Sequence, residues 1–130
     1  MEIKGINHVT LTVSDLSRSV AFYVDVLGAK LIHQGNTDVY LEWGSVWLCL
    51  LQKANTAPLP KRSVGLDHLA FTVTEDGFHK AVTILKAKNV PIVREPVERG
   101  GGRSINFLDP DGIQLELHTG SLAKRMSVWK

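Results

Sequence analysis

The chain has 130 residues, 44% hydrophobic and 22% charged, with a formal net charge of +2: the length of about one domain and the composition of an ordinary globular protein. The basic residues are scattered, apart from a cluster after Val90 and another at the C-terminus, which gives no electrostatic footprint for nucleic acid. No apolar run reaches the length of a membrane span, no signal peptide precedes the first strand pattern, and the single Cys49 has no internal disulfide partner, so the expected location is the cytoplasm.

Residues 6–13 are β-branched and apolar and predict a strand. Ser14-Asp15 then offers a helix cap, and Leu16, Val20, Tyr23, Val24 and Leu27 recur at helical spacing until Gly28. Strands are predicted at 30–33, 38–43 and 46–51, with Gly35-Asn36 and Gly44-Ser45 at the turns. Cys49 falls in the last of these apolar runs, where a buried, inert thiol is expected. A linker over 53–63 carries Pro58 and Pro60.

The order then repeats. Gly5-Ile-Asn-His8-Val-Thr-Leu-Thr-Val13 returns sixty residues later as Gly65-Leu-Asp-His68-Leu-Ala-Phe-Thr-Val73. A helix is predicted over about 76–88, with Phe78, Val82 and Leu85 on one face, then strands at 92–93, 104–108 and 113–118. Asp109-Pro-Asp-Gly112 is the last turn, and a tail over 122–129 has helical character. The expected fold is α+β: one domain, 1–130, of two tandem βαβββ units at about 4–52 and 64–119, followed by a tail at 120–130. Their strands would form a curved mixed sheet around a metal cavity.

Strand alternation puts His8 on a face with Ile6, Thr10 and Thr12, and His68 with Leu66, Ala70 and Thr72. Gln114, Glu116 and His118 share one face of the last strand, and Ser104 and Asn106 share one face of the strand before it. A strand histidine is more often a packed or surface group than a ligand. Two at equivalent points of a repeat, with Glu116 as a third donor, instead form the N,N,O set of an open divalent-metal site. Aligning Gly44 with Gly112 gives Leu48 as the counterpart of Glu116. His33, His79 and His118 lack such support and are expected at the surface or behind the site.

His8-x-Thr10 through Asp15-Leu16, Ser19, Phe22-Tyr23, Asp25 and Leu27-Gly28 resembles the vicinal-oxygen-chelate superfamily, the glyoxalase/bleomycin-resistance fold. Within it, residues 41–50, 103–112 and 115–122 with Arg125 are similar to the fosfomycin-resistance enzymes. The resemblance implies a homodimer with exchanged units, each metal held by His8 of one chain with His68 and Glu116 of the other. The metal would be Mn2+, with Zn2+, Ni2+ or Fe2+ as alternatives; K+ is admitted, although its loop is not recognisable. The substrate would be a phosphonate epoxide and the nucleophile a low-molecular-weight thiol, glutathione foremost, with bacillithiol or water as alternatives. Thr10 would hydrogen-bond the substrate or assist the thiol, Ser104 and Arg125 would bind the phosphonate, and Tyr40 and Trp47 would line the pocket.

Some residues depart from the family pattern. Asn106 stands where a tyrosine is common, and no lysine faces the phosphonate, since Arg94 and Arg99 flank Pro96 where it should fall. The run Arg99-Gly-Gly-Gly-Arg103 resembles the loop of the hydrolytic subclass, in which Asp38 would occupy the place of a general base; a turn residue is the alternative for Asp38. A glyoxalase or dioxygenase chemistry, or drug binding without catalysis, are further uses of the same fold.

Overall fold

The computed structural model describes residues 1–61 and 63–128. They divide into two compact units, 1–58 and 59–130. No helix among the described residues is long and apolar enough to cross a membrane.

Unit 1 runs β1 (Val9–Val13), α1 (Leu16–Val20), a π-helical turn (Ala21–Val26), β2 (Lys30–Gln34), β3 (Asp38–Trp43) and β4 (Val46–Gln52). Its four strands lie in the order β1-β4-β3-β2, with β1 parallel to β4 and the other pairs antiparallel. Unit 2 repeats the plan with β5 (Leu69–Thr72), α2 (Glu75–Ala87), β6 (Ile92–Arg99), β7 (Gly102–Leu108) and β8 (Gln114–His118), in the order β5-β8-β7-β6. Then comes α3 (Leu122–Val128); Trp129, placed in the tail helix by the sequence pattern, lies outside the described residues.

Capping sets the helix starts. The Asp15 carboxylate accepts from the Arg18 N–H at 3.1 Å, and the Thr74 hydroxyl accepts from the Gly77 N–H at 3.0 Å. The expected regular first helix is corrected: after Val20 the turn widens, and the Leu27 N–H reaches the Phe22 carbonyl at 3.0 Å. The wider turn lets Phe22 and Tyr23 both face the core, which a strict 3.6-residue period does not anticipate. Tyr23, Val39, Leu41, Leu48 and Leu50 form the centre of the unit 1 core, and Phe78, Leu85, Ile105, Phe107 and Leu115 that of unit 2.

The limits of four strands also differ from expectation. β1 and β5 begin one residue after His8 and His68, so each histidine sits at a strand entrance. β6 continues from Ile92 through Pro96 to Arg99; as an edge strand broken by register shifts, it tolerates the missing N–H. β7 starts at Gly102, which turns the expected glycine loop into a tight turn at Gly100 and Gly101, with φ of 62° and 78°. At the last turn, Asp109 Oδ1 accepts from the Asp111 and Ile113 N–H groups at 2.9 and 2.8 Å.

Candidate metal centre

The strand register of unit 2 gathers its polar side chains. Asn106 stands opposite Glu116, Ser104 opposite His118, and Arg94 opposite Asn106. Leu115, Leu117, Ile105 and Phe107 take the other face and pack in the core. Ser104, Asn106 and Glu116 are nonetheless buried as well, so each of their polar atoms needs a partner.

His68 brings its Nε2 to 2.9 Å from Glu116 Oε2, while its Nδ1 lies 2.6 Å from a carboxylate oxygen of Asp67. A carboxylate only accepts, so Nδ1 donates its proton to Asp67, and Nε2 faces the Glu116 oxygen. Two electron-rich atoms at that separation require a cation between them, either a proton or a metal. The donor set therefore fits a divalent ion, and Asp67 supplies the outer hydrogen bond that orients a ligating imidazole. Unit 1 repeats the device: His8 Nδ1 lies 2.7 Å from Asn7 Oδ1, which leaves its Nε2 for a ligand. Among the described residues, no three His, Cys, Asp or Glu side chains stand gathered as a ligating group. His68 and Glu116 meet in unit 2, and His8 belongs to unit 1.

Arg94 is the group that sequence reasoning did not place. Its Nη2 donates to Ser104 Oγ at 3.3 Å and to Glu116 Oε1 at 3.4 Å. Register shifts fall on both sides of it, between Ile92 and Arg94 and between Arg94 and Val97, and such irregularities re-aim a side chain. Unit 1 repeats the irregularity, since β2 shifts register between Leu31 and His33 in the same part of the unit.

In unit 1, one sheet face carries Thr10, Tyr40 and Cys49 side by side, since Thr10 pairs with Cys49 and Tyr40 with Cys49. His8 stacks on Trp47 with ring centroids 4.5 Å apart, and Tyr40 meets Trp47 edge-on at 5.8 Å. The position matching Glu116 is therefore Cys49 and not Leu48, because Thr10 pairs with Cys49 as Ala70 pairs with Glu116. Equal turn glycines misled the alignment by one residue, and one residue reverses the face. Cys49 is buried, but it faces the Thr10 side of the sheet and not the helix. Burial pushes its thiol pKa up, the Thr10 hydrogen bond pulls it down, and the negative charge of Asp38 raises it further.

Asp38 opens β3 and does close a turn, its carbonyl accepting from the Gly35 N–H at 2.8 Å. Its carboxylate stands 3.8 Å from His33 Nε2. Arg125 lies on α3 against the glycine turn: a Cβ built on Gly100 would come within 2.7 Å of Arg125 Nη1. His118 is structural, its Nδ1 accepting from the Gly120 N–H at 2.7 Å.

The profile of the Glyoxalase/Bleomycin resistance protein/Dioxygenase superfamily matches residues 5–117. Metallothiol transferase FosB of Staphylococcus epidermidis is 40% identical over 131 residues, spanning 100% of this chain and 92% of that protein. Glutathione transferase FosA of Serratia marcescens is 40% identical over 125 residues, spanning 96% and 87%. The crystal structure of the fosfomycin resistance protein FosX from Listeria monocytogenes, complexed with Mn(II) and sulfate, matches with a TM-score of 0.81 at 28% identity, over 99% of this chain and 100% of that one.

Proposed function

This chain belongs to the glyoxalase/bleomycin resistance protein/dioxygenase superfamily, and from that premise we propose that it is a metal-dependent fosfomycin-resistance enzyme. It opens the epoxide of a phosphonate by adding a thiol, glutathione foremost. The observation that carries this reading is the approach of His68 Nε2 to Glu116 Oε2 with Asp67 behind the imidazole. Relatives that are thiol transferases, similar over nearly the whole chain, support it.

His68 and Glu116 hold a divalent cation, Mn2+ foremost, with His8 as third ligand. Bound there, the cation supplies Lewis acidity to the epoxide oxygen as the ring opens. The rest falls to the protein. Ser104, Arg94 and Arg125 bind the phosphonate, a dianion suited to fixed cationic forks. Asn106 offers an amide where the family commonly has a tyrosine. Thr10 orients the incoming thiol or the substrate, and Trp47 and Tyr40 wall the pocket. Sulfur bonds to an epoxide carbon, that carbon's bond to oxygen breaks, and the thiol proton ends on the freed oxygen. The resemblance supports a homodimer in which His8 of one chain completes the site of the other. A cytoplasmic location, where small thiols stay reduced, suits the reaction.

Asp38 favours a second reading in which water replaces the thiol, its carboxylate being placed by the β3 entrance. Phosphorus-31 NMR of fosfomycin with the Mn(II)-loaded protein separates the two. An adduct resonance that requires glutathione or bacillithiol is the expected result. A diol resonance without thiol would replace the transferase by a hydrolase, and an unchanged spectrum in every tube would remove fosfomycin as substrate.

A further inference from the structure

We propose that Arg94 and a divalent cation compete for Glu116, and that an oxyanion bound by Arg94 and Ser104 relieves the competition, so that metal and phosphonate or phosphate bind cooperatively. The inference rests on the metal site proposed above. Glu116 has two oxygens: Oε2 lies 2.9 Å from His68 Nε2 and Oε1 lies 3.4 Å from Arg94 Nη2. Its side chain is only 8% exposed, so it needs a counter-charge, and the guanidinium provides one. A cation ligated through the same carboxylate takes over that role and repels the guanidinium.

Arg94 is poised for such an exchange and is not locked in place. Its contacts at 3.3 and 3.4 Å exceed the ~2.7–2.9 Å of strong charge-assisted bonds. Its Nε is buried without a partner, and so is Asn106 Oδ1 directly across the strand pair. Its side chain is 41% exposed, which leaves it able to meet a ligand. An oxyanion between Arg94 Nη2 and Ser104 Oγ satisfies the guanidinium and frees Glu116 in one step. The coupling is reciprocal, because each ligand must strengthen the other by the same factor.

The test is a Mn(II) titration of the full chain, following the EPR signal of free Mn(II), with and without inorganic phosphate. Arg94→Gln should bind Mn(II) about tenfold tighter than the parent protein in the absence of phosphate, the scale of losing one charge-assisted contact. Phosphate should tighten Mn(II) binding in the parent and do so much less in R94Q, while Arg94→Lys keeps the parent's behaviour. If R94Q loses stability, Mn(II) should raise its melting temperature by more than it raises the parent's. Equal or weaker Mn(II) binding by R94Q, or the same phosphate effect in both proteins, would overturn the competition. A parent that binds no Mn(II) would remove the metal site and this inference together. Intact coupling without turnover of fosfomycin would refute only the proposed substrate.

Discussion

Two glycines with nearly the same backbone separate strain from contact at the proposed phosphonate arginine. Gly44 has φ of 59° and Gly100 φ of 62°, so an alanine at either costs about 1 kcal/mol of left-handed strain. A Cβ on Gly44 meets nothing within 4 Å, whereas one on Gly100 would stand 2.7 Å from Arg125 Nη1 and 3.3 Å from its Cγ and Cδ. Comfortable contact begins near ~3.5 Å, so the Arg125 side chain must retreat by roughly 0.8 Å. It is a flexible arm, and the retreat adds little to the unfolding free energy. Both variants should therefore melt about 4 °C below the parent. Function should divide them. Misplacing a binding group by ~1 Å costs up to about 100-fold, and about a tenfold rise in KM for fosfomycin is expected of Gly100→Ala alone. Steady-state thiol transfer by G44A, G100A, R125A and the G100A/R125A double variant decides the matter. If G100A still raises KM once Arg125 is an alanine, or if G44A raises it as much, the glycine turn does not act through Arg125.

Removing the outer partner of a ligand should loosen the metal without touching a donor atom: Asp67→Asn is expected to weaken Mn(II) binding about 10–100-fold, read by titration, and Asn7→Ala to do the same through His8. Glu116→Gln should abolish turnover and leave the fold intact by circular dichroism. Gly102→Ala should cost more stability than either turn variant, about 2–3 kcal/mol, because its Cβ would stand 2.6 Å from the Gly120 backbone nitrogen and backbone cannot step aside; equal denaturant midpoints would contradict this. The Cys49 thiol is held above its ordinary pKa, so its contribution to stability is complete at neutral pH and is lost as pH rises through the raised value. Asp38→Asn should bring its titration down, followed by thiolate absorbance, and an unmoved midpoint would mean that Asp38 does not face it. The same variant should leave thiol transfer within about threefold, the ordinary scale of a group outside the chemistry, whereas a general base would cost 100-fold or more.

The repeat made the architecture legible, because eight short strands and two helices with matching punctuation admit few arrangements. The approach of His68 to Glu116 was partly legible: the repeat marked the histidine at the entrance to β5, and alternation put Glu116 on one face of β8 with Gln114 and His118. What escaped was register. A turn glycine reports where a hairpin reverses and says nothing about how the returning strand pairs, so aligning the turns gives Leu48 as the counterpart of Glu116 where the pairing gives Cys49. Arg94 escaped for a related reason. Pro96 and the charges around it hide a strand, and only the broken pairing of β6 with β7 shows the guanidinium opposite Asn106.

Corrected register also shows how the two units divide the work. Cys49 corresponds to Glu116, Tyr40 to Asn106, Thr10 to Ala70 and Asp38 to Ser104, each pair standing at the same place in its sheet. Unit 2 has the carboxylate and the small neutral groups that suit a cation and an oxyanion. Unit 1 has a thiol at the place that matches Glu116, and an aromatic row of His8, Trp47, Tyr40 and His33. A thiol kept neutral by burial and by Asp38 is a poor ligand for a hard cation, so the unit 1 counterpart of Glu116 is not expected to hold a divalent ion. Cys49→Asp would test that division: a carboxylate at the place matching Glu116, in the same sheet as Thr10 and Tyr40, should tighten Mn(II) binding by the chain. Unchanged Mn(II) binding would show that the thiol is not what keeps a metal ion out of unit 1.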